Sequence, residues 1–213
     1  MKSLIVIPCY NHGDLCNSLI SKIINKDILI IDDGSDTQYF PENSKNISIL
    51  RNDKNTGKGY SIKKAALFAI ENNYEKILVI DADLQHNPKY IDSFLKNTDF
   101  DLVYGRRSFN KEMPLMRRVS NIITSFLISI ITKQKIKDTQ CGYRLYNLNL
   151  FKELDSKEDG YQFESEILLK KINIKSKIKS VKISTIYNDS KSHINNFKDT
   201  YKFIKLILRN IIW

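Results

Sequence analysis

Apolar runs alternate with amphipathic stretches along most of the chain. The runs are short and continuous, as in strands covered on both faces of a sheet, whereas the stretches between them repeat apolar positions every three or four residues. This pattern predicts strands over 3–8, 27–32, 47–50, 76–81, 101–105 and 179–185. It predicts helices over 14–25, 57–73, 87–97, 115–132, 162–173 and 195–212, with a turn at 140–144. The alternation indicates an α/β fold with a mostly parallel sheet and flanking helices.

Polar residues collect directly after four of the predicted strands. The segments are PCYNHGD after the first strand, DDGS after the second, DADLQH after the fourth and GRR after the fifth. Ligands of parallel sheets bind beyond the carboxyl ends of the strands. We therefore expect one binding site at that edge of the sheet.

Two acidic pairs stand out among these polar segments. Asp81, Asp83 and Gln85 follow an apolar run at alternate positions, so an extended backbone would present three oxygens to one side, as Mg²⁺ or Mn²⁺ prefers. The alternative is a strand-to-helix turn in which Asp caps backbone donors. Asp32 and Asp33 precede Gly34. For this pair the alternatives are a contact of Asp33 with a nucleobase and an Asp-Gly turn.

Basic residues provide candidate phosphate contacts. Gly57 and Gly59 flank Lys58 at a helix start, which suits phosphate approach but matches neither the P-loop nor the dinucleotide pattern. Arginine pairs follow the fifth strand and begin the next helix, at 106–107 and 117–118. Guanidinium groups bind phosphate in bidentate fashion, although arginine runs are usually solvated surfaces.

Composition narrows the class of protein. The chain has 213 residues, which suits one domain. No apolar stretch reaches the ~18–20 residues of a membrane span, and the N-terminal run is too short for a signal peptide. Cys9, Cys16 and Cys141 fit neither a disulfide framework nor a zinc site, so we expect a reducing, cytoplasmic setting.

Positive charge is concentrated in the last quarter of the chain. The net charge is +10, and residues 170–213 contain eleven Lys and Arg against two Asp. This asymmetry indicates an anionic partner: acidic lipid, nucleic acid or a phosphorylated ligand. The last helix places an apolar stripe beside a basic one, which suits either an interfacial helix or ordinary surface packing. The apolar stripe is Phe197, Tyr201, Ile204, Leu208 and Ile211, and the basic stripe is Lys198, Lys202, Lys205 and Arg209.

The order of the polar segments resembles that of family 2 glycosyltransferases, in particular the branch that acts on dolichyl and bacterial polyprenyl phosphates. The segments are IVIPCYNHGD, IIDDGSDT, NTGKGYSI, VIDADLQHNP, YGRR, DTQCGYRLY, YQFESEIL and STIYNDSKSH. The resemblance runs from residue 3 to about residue 199. It implies a GT-A fold over 1–193, followed by the amphipathic basic helix over 194–213.

The resemblance also implies an inverting transfer from a UDP- or GDP-sugar that depends on Mg²⁺ or Mn²⁺. It assigns the nucleotide-sugar contacts to Pro8, Tyr10, Asp33, Lys58, Asp81, Ala82, Asp83, Arg107 and Lys191. The metal ligands are then Asp81, Asp83 and Gln85, with His193 as a further candidate. Asp138 and Glu164 match acidic positions with a catalytic role. Arg117 and Arg118 are our candidates for contact with the acceptor phosphate.

The acceptor decides whether a base is needed. A lipid phosphate is already an anion and needs positioning, whereas a sugar hydroxyl needs a carboxylate base, for which Asp138 and Glu164 are the candidates. We favour a polyprenyl phosphate, with the protein peripheral at an acidic membrane on its cytosolic face. The alternatives are a transferase acting on a sugar hydroxyl of a growing glycan and, from another class, a basic nucleic-acid-binding protein. The chain lacks the interleaved aromatic and basic motifs of such proteins, so we expect no nucleic-acid partner.

Overall fold

A single seven-stranded sheet organises the computed structural model, which describes residues 2–37, 46–108, 113, 115–184 and 196–211. The strands are β1 (Ser3–Cys9), β2 (Ile28–Asp32), β3 (Ile47–Arg51), β4 (Lys76–Val79), β5 (Leu102–Arg107), β6 (Arg144–Asn147) and β7 (Ile178–Ile183). Their order across the sheet is β3-β2-β1-β4-β6-β5-β7, and β6 alone runs antiparallel to its neighbours. The predicted mostly parallel sheet is confirmed.

Helices cover both faces of this sheet. They are α1 (Gly13–Ile20), α2 (Lys58–Glu71), α3 (Ile91–Leu95), α4 (Leu115–Thr132), α5 (Phe163–Lys171) and α6 (Asn196–Ile211). All six predicted helices exist, although α1 ends five residues earlier than predicted. The predicted helix over 87–97 begins as a 3-10 turn at Pro88, where the side chain of Asn87 accepts a hydrogen bond from the Lys89 amide.

The apolar runs of the inner strands β1, β2 and β4 are buried because both faces of these strands are covered. In β1, Leu4 and Val6 pack into the core that α2 and α5 share with the sheet. Ile5 and Ile7 point to the other face and pack with residues of α1 and α3. Continuous apolar sequence is therefore required at these positions, and alternation would leave polar groups buried.

Strand β6 was not predicted. The sequence predicted only a turn over 140–144, whose last residue, Arg144, begins this strand. That side chain is 1% exposed, and its guanidinium donates to the carbonyl oxygens of Cys141 at 2.8 Å and Glu164 at 2.7 Å. A charged residue can thus begin a central strand because the surrounding carbonyl groups bind it.

Helix α4 has its polar face inward and its apolar face outward. Its buried side chains are Asn121, Thr124, Ser125, Ile128 and Thr132. Its exposed ones are Leu115, Met116, Val119, Ile122, Ile123, Phe126, Leu127 and Ile130, at 36–72% exposure. The expectation that no stretch is long enough for a membrane span was wrong, because α4 passes that test by length and composition. A single such helix is weak evidence of a span.

Helix α6 buries a face that the sequence did not indicate. Leu206 and Ile207 are buried against the core, whereas Ile204 and Leu208 of the predicted stripe are about half exposed. Arg209 was expected in a solvated basic stripe. It donates instead to Glu166 at 2.9 Å and to Glu158 at 3.1 Å, which ties α6 to α5 and the loop before it.

Candidate active site

The polar segments meet at one edge of the sheet, as expected. Asp32 pairs with Cys9 in the β1–β2 register, and the Asp33 amide donates to the Cys9 carbonyl at 2.8 Å. The loop that follows β4 carries Asp81 to the same edge. An open pocket beyond β1 and β2 is lined mainly by polar side chains, including Asn11 and Ser35.

The carboxylate of Asp33 organises the entrance to α2. It accepts hydrogen bonds from Asn52 Nδ2 at 2.7 Å, from the Thr56 hydroxyl at 2.7 Å and amide at 3.0 Å, and from the Gly57 amide at 2.8 Å. Gly57 has φ of 104°, where a Cβ would lie 2.5 Å from the Asp159 carbonyl oxygen. Asp33 therefore fixes the backbone that delivers Lys58.

Asp81, Asp83 and Gln85 lie on a turn, so the extended backbone assumed for them was wrong. β4 ends at Val79, and the residue between Asp83 and Gln85, Leu84, has φ of 58°. The Gln85 amide donates to Asp83 Oδ1 at 2.9 Å. The three side chains are nevertheless all partly exposed on one short loop.

The charges on this loop favour a bound cation. Burial and the neighbouring Asp81 carboxylate raise the pKa of Asp83, because two negative charges repel each other there. A divalent ion between them would relieve this repulsion, and oxygen donors are the ligands Mg²⁺ and Mn²⁺ prefer. Within the described residues no three His, Cys, Asp or Glu side chains gather. The donor set is two carboxylates and an amide, which fits a metal that also takes oxygens from substrate or water.

Lys58 joins the acidic loop to α5. Its Nζ lies 2.5 Å from Asp81 Oδ1 and 2.9 Å from Glu164 Oε1, with only 11% of the side chain exposed. Burial opposes the charged ammonium, but the two carboxylates outweigh it and raise the pKa of Lys58. Burial likewise opposes the charged form of Asp81, and Lys58 outweighs it to lower that pKa.

Gly142 makes room for this ion pair. A Cβ at position 142 would lie 2.4 Å from Lys58 Nζ and 2.5 Å from Asp81 Oδ2. A side chain at this position would force Lys58 or Asp81 to move, so glycine leaves the pair undisturbed. The role of Gly142 was not predicted, because nothing in the sequence indicates which side chains approach it.

Asp138 is enclosed rather than open to the cleft. Arg107 donates to it through Nε at 2.9 Å, Nη2 at 2.8 Å and the backbone amide at 3.0 Å, and Asn121 of α4 donates at 2.7 Å. Its exposure is 0%. Burial would raise its pKa, but the bonds from Arg107 outweigh burial and lower it. The predicted phosphate contact, Arg107, and the candidate catalytic base, Asp138, thus bind each other.

His86 is a second unpredicted member of the region. It is buried, its ring lies 5.6 Å from that of Tyr143, and its Nδ1 has no partner among the described residues. Burial lowers its pKa to about 4, so the imidazole is neutral near pH 7.

The remaining predicted residues are spread around this centre. Tyr10 is 39% exposed after β1, Pro8 is half-buried in β1, and Ala82 is buried between the two aspartates. Arg117 and Arg118 lie in the first turn of α4, half-buried and exposed respectively. Lys191 and His193 lie outside the described residues, as does the predicted boundary at 193–194. These assignments stay predictions.

Comparison with known proteins identifies what this arrangement resembles. A sequence model described as "Glycosyl transferase family 2" matches residues 4–155. The UDP-N-acetylglucosamine–dolichyl-phosphate N-acetylglucosaminyltransferase of Methanococcus voltae is 28% identical over 87% of this chain and 86% of its own. The dolichyl-phosphate beta-glucosyltransferase ALG5D of Trichomonas vaginalis is 26% identical over 86% of this chain and 65% of its own.

A solved structure shares the fold. Glucosyl-3-phosphoglycerate synthase of Mycobacterium tuberculosis, in complex with Mn²⁺, UDP and glucosyl-3-phosphoglycerate, superposes with a TM-score of 0.72. The match covers 98% of this chain and 79% of that one at 13% identity, so the likeness concerns the fold alone.

Proposed function

The chain belongs to glycosyl transferase family 2, and from that premise we propose that it transfers a sugar from a UDP- or GDP-sugar to a polyprenyl phosphate, with inversion at the anomeric carbon. The fold is the GT-A fold that the resemblance implied. Two relatives whose names state an acceptor use dolichyl phosphate, which supports the choice of acceptor.

The state of the two candidate bases carries the proposal. Asp138 is fully buried and bound by Arg107 and Asn121, and Glu164 lies 2.9 Å from the Lys58 ammonium with 7% exposure. A carboxylate held in an ion pair is a poor general base, because abstracting a proton would break the pair. A hydroxyl acceptor needs such a base, whereas a phosphate brings its own negative charge. The geometry therefore favours a phosphate acceptor.

The donor end of the site is assembled from three loops. We assign Asp81, Asp83 and Gln85 to a divalent metal, Mg²⁺ or Mn²⁺, which would supply positive charge against the leaving nucleoside diphosphate. Lys58 adds a second positive charge beside that loop, at the start of α2. The edge beyond β1 and β2, with Tyr10 exposed on it, is the place we assign to the nucleoside.

The acceptor end is formed by α4. Its outward apolar face and the absence of acidic residues along its length suit the interface of an anionic bilayer. Arg117 and Arg118 at its first turn are then placed to meet a phosphate at headgroup depth while the polyprenyl tail stays in the lipid. We accordingly propose a peripheral protein at the cytosolic face. The three free cysteines are consistent with a reducing compartment.

The test of the acceptor uses two lipids that differ only in the phosphate. Purified protein is incubated with labelled UDP- and GDP-sugars, with Mn²⁺ or Mg²⁺, and with either a polyprenyl phosphate or the corresponding polyprenol in detergent. We expect label to pass to the phosphate alone. Transfer to the polyprenol or to a soluble glycan, without transfer to the phosphate, contradicts the proposal. Thermal stabilisation by nucleic acid but by no nucleotide sugar would favour the non-enzymatic class instead.

The membrane assignment is tested by co-sedimentation with vesicles containing acidic lipid. Ile122→Ser combined with Phe126→Ser should reduce binding strongly, because both side chains lie on the exposed apolar face of α4. Leu67→Ser is the matched control, since Leu67 is 62% exposed on α2. Equal binding by all three proteins would contradict a role for α4.

A further inference from the structure

The ammonium of Lys58 lies where it competes with a metal for Asp81. Its Nζ is 2.5 Å from Asp81 Oδ1, and the other carboxylate oxygen packs against Gly142, where an added Cβ would lie 2.5 Å away. One oxygen of Asp81 is thus bound to a cation and the other faces backbone. A divalent ion coordinated by Asp81 would meet the ammonium at close range, and the two positive charges would repel each other strongly in a partly buried site.

A second carboxylate is available to the ammonium without any change of position. Glu164 Oε1 lies 2.9 Å from Lys58 Nζ, and Glu164 is buried, so its charge needs a partner. The Glu164 carbonyl oxygen accepts a 2.7 Å hydrogen bond from the fully buried Arg144, which fixes the first turn of α5. Lys58 therefore has two carboxylate partners. Glu164 is fixed in place, and Asp81 is the one that we assign to the metal.

We propose that Lys58 is an internal counterion that occupies Asp81 when no donor is bound, and that a divalent cation displaces it onto Glu164. The inference rests on the metal site of the proposed function and adds the order of events at that site. Metal alone must displace an ammonium, so it binds weakly. When metal arrives together with a nucleoside diphosphate, the negative charge of the diphosphate compensates the released ammonium. Metal and diphosphate together therefore bind more tightly than either ligand alone.

The first measurement is Mn²⁺ affinity without nucleotide, by titration calorimetry or by the electron paramagnetic resonance of free Mn²⁺. Lys58→Met should bind Mn²⁺ at least about tenfold more tightly than wild type, because the competing charge is gone. Lys63→Met is the matched control. Lys63 lies on the same helix but pairs with Asp159 at 2.7 Å, so its loss should leave the affinity unchanged.

A double-mutant cycle separates displacement from simple charge removal. Glu164→Gln should weaken Mn²⁺ binding in wild type, because the ammonium is then left with Asp81 alone. In the Lys58→Met background the same change should have a much smaller effect. An equal loss in both backgrounds would mean that Glu164 acts only through its charge, and the counterion role would be overturned.

A measurement on the wild type covers the case in which a variant does not fold. With ¹⁵N-labelled lysine side chains, Mg²⁺ should shift the Lys58 Nζ signal and leave that of Lys63 in place. Unchanged or weaker Mn²⁺ binding by folded Lys58→Met, when transfer by the wild type depends on metal, overturns the counterion inference alone. Absence of Mn²⁺ binding by both proteins, with transfer independent of metal, overturns the metal site and the inference together.

Discussion

Two acidic pairs follow buried strands in this chain, and the structure uses them in opposite ways. Asp32 and Asp33 are 1% and 5% exposed, and backbone and side-chain donors surround both carboxylates. Asp81 and Asp83 remain partly exposed, and the partners described for them are the Lys58 ammonium, bound to Asp81, and the Gln85 amide, bound to Asp83. The first pair stabilises the fold, whereas the second stays open to ligands.

The supply of nearby donors explains this difference. The loop that leads into α2 brings Asn52, Thr56 and Gly57 to Asp33, so its hydrogen-bonding capacity is satisfied within the chain. The loop after β4 turns back on itself at Leu84, and within the part of the chain that the structure describes it brings the Gln85 amide to Asp83. A carboxylate whose oxygens can still accept bonds, and which lies beside a second carboxylate, is suited to binding a metal. A carboxylate whose oxygens are already hydrogen-bonded within the chain is suited to stabilising the fold.

We call Asp81 and Asp83 the open pair and Asp32 and Asp33 the closed pair. The largest effect should come from substitution in the open pair. Asp83→Asn should reduce transfer by at least about 10³-fold, about 4 kcal/mol of transition-state stabilisation, by removing one anionic ligand. The melting temperature should stay the same or rise, because the pKa of Asp83 is raised by burial and by Asp81, and the charge is therefore not stabilised in the fold. Asp92→Asn, at a solvated carboxylate paired with Lys26, is the control. Unchanged turnover at saturating Mn²⁺ would refute the metal assignment of Asp83.

Substitution in the closed pair should mainly lower the stability of the fold, whereas substitution in the open pair should mainly lower transfer. Asp33→Ala should lower the free energy of unfolding by about 3 kcal/mol, because it leaves the buried donors of Asn52, Thr56 and Gly57 without their acceptor. Nucleotide affinity should fall as well, through the displaced start of α2. Urea unfolding measures the first effect, with Asp36→Ala as the control at an exposed carboxylate that binds only Asn11 in the described structure. If Asp33→Ala is fully stable but binds nucleotide weakly, the predicted direct contact of Asp33 with the nucleobase is favoured over this structural role.

His86, in the region of Asp81, should give the stability a pH dependence at higher pH than the one expected from Asp32. Burial lowers the pKa of His86 from 6.5 to about 4, so between these values the unfolded chain binds a proton that the folded chain does not. Stability must then rise with pH across this window. Wild type should lose about 2 kcal/mol between pH 7 and pH 5 relative to His86→Phe, whose phenyl ring can keep the packing on Tyr143. Parallel stability curves for the two proteins would show that folding does not shift the pKa of His86.

Local patterns sufficed for most of the fold. Apolar runs located six strands, of which β2 and β4 are fully buried and β3 and β7 only partly, and helical periodicity located α4 to the residue. β6 was missed because Arg144 enters a central strand only with carbonyl acceptors that come from other parts of the chain. The inward face of α6 was missed because the helix has two apolar faces, and only tertiary packing decides which one is buried.

The site was predictable in position but not in its pairings. Strand ends placed Asp33 and Asp81 at one edge of the sheet, and Lys58 was predicted at a helix start. The ion pairs of Asp138 with Arg107, 31 residues away, and of Lys58 with Glu164 depend on distances that no local pattern contains. These pairings matter most for the proposed function, because they hold both candidate bases in ion pairs.

The smallest effect should come from Arg51, the cation that pairs with Asp32, and it is compared with that of Lys58, the cation that pairs with Asp81. Arg51 binds Asp32 and also donates to the Ser35 carbonyl oxygen at 2.7 Å, but it is about one-third exposed, so solvent weakens its contribution. Arg51→Gln should therefore cost only about 1 kcal/mol of stability and leave Mn²⁺ affinity unchanged, whereas loss of Lys58 should change Mn²⁺ affinity.

The stability cost of Arg51→Gln should itself depend on pH. Burial opposes the charged form of Asp32, but hydrogen bonds from Ser35 and the guanidinium of Arg51 outweigh it and lower the pKa below 3.8. A carboxylate with a lowered pKa stabilises the fold above its ordinary pKa, and this stabilisation is lost as the pH falls through the lowered value. Wild type and Arg51→Gln should thus differ in urea unfolding at pH 6 and converge below about pH 4. A difference that persists at low pH would mean that Arg51 acts through the Ser35 carbonyl, and that the ion pair contributes nothing to closing the first acidic pair.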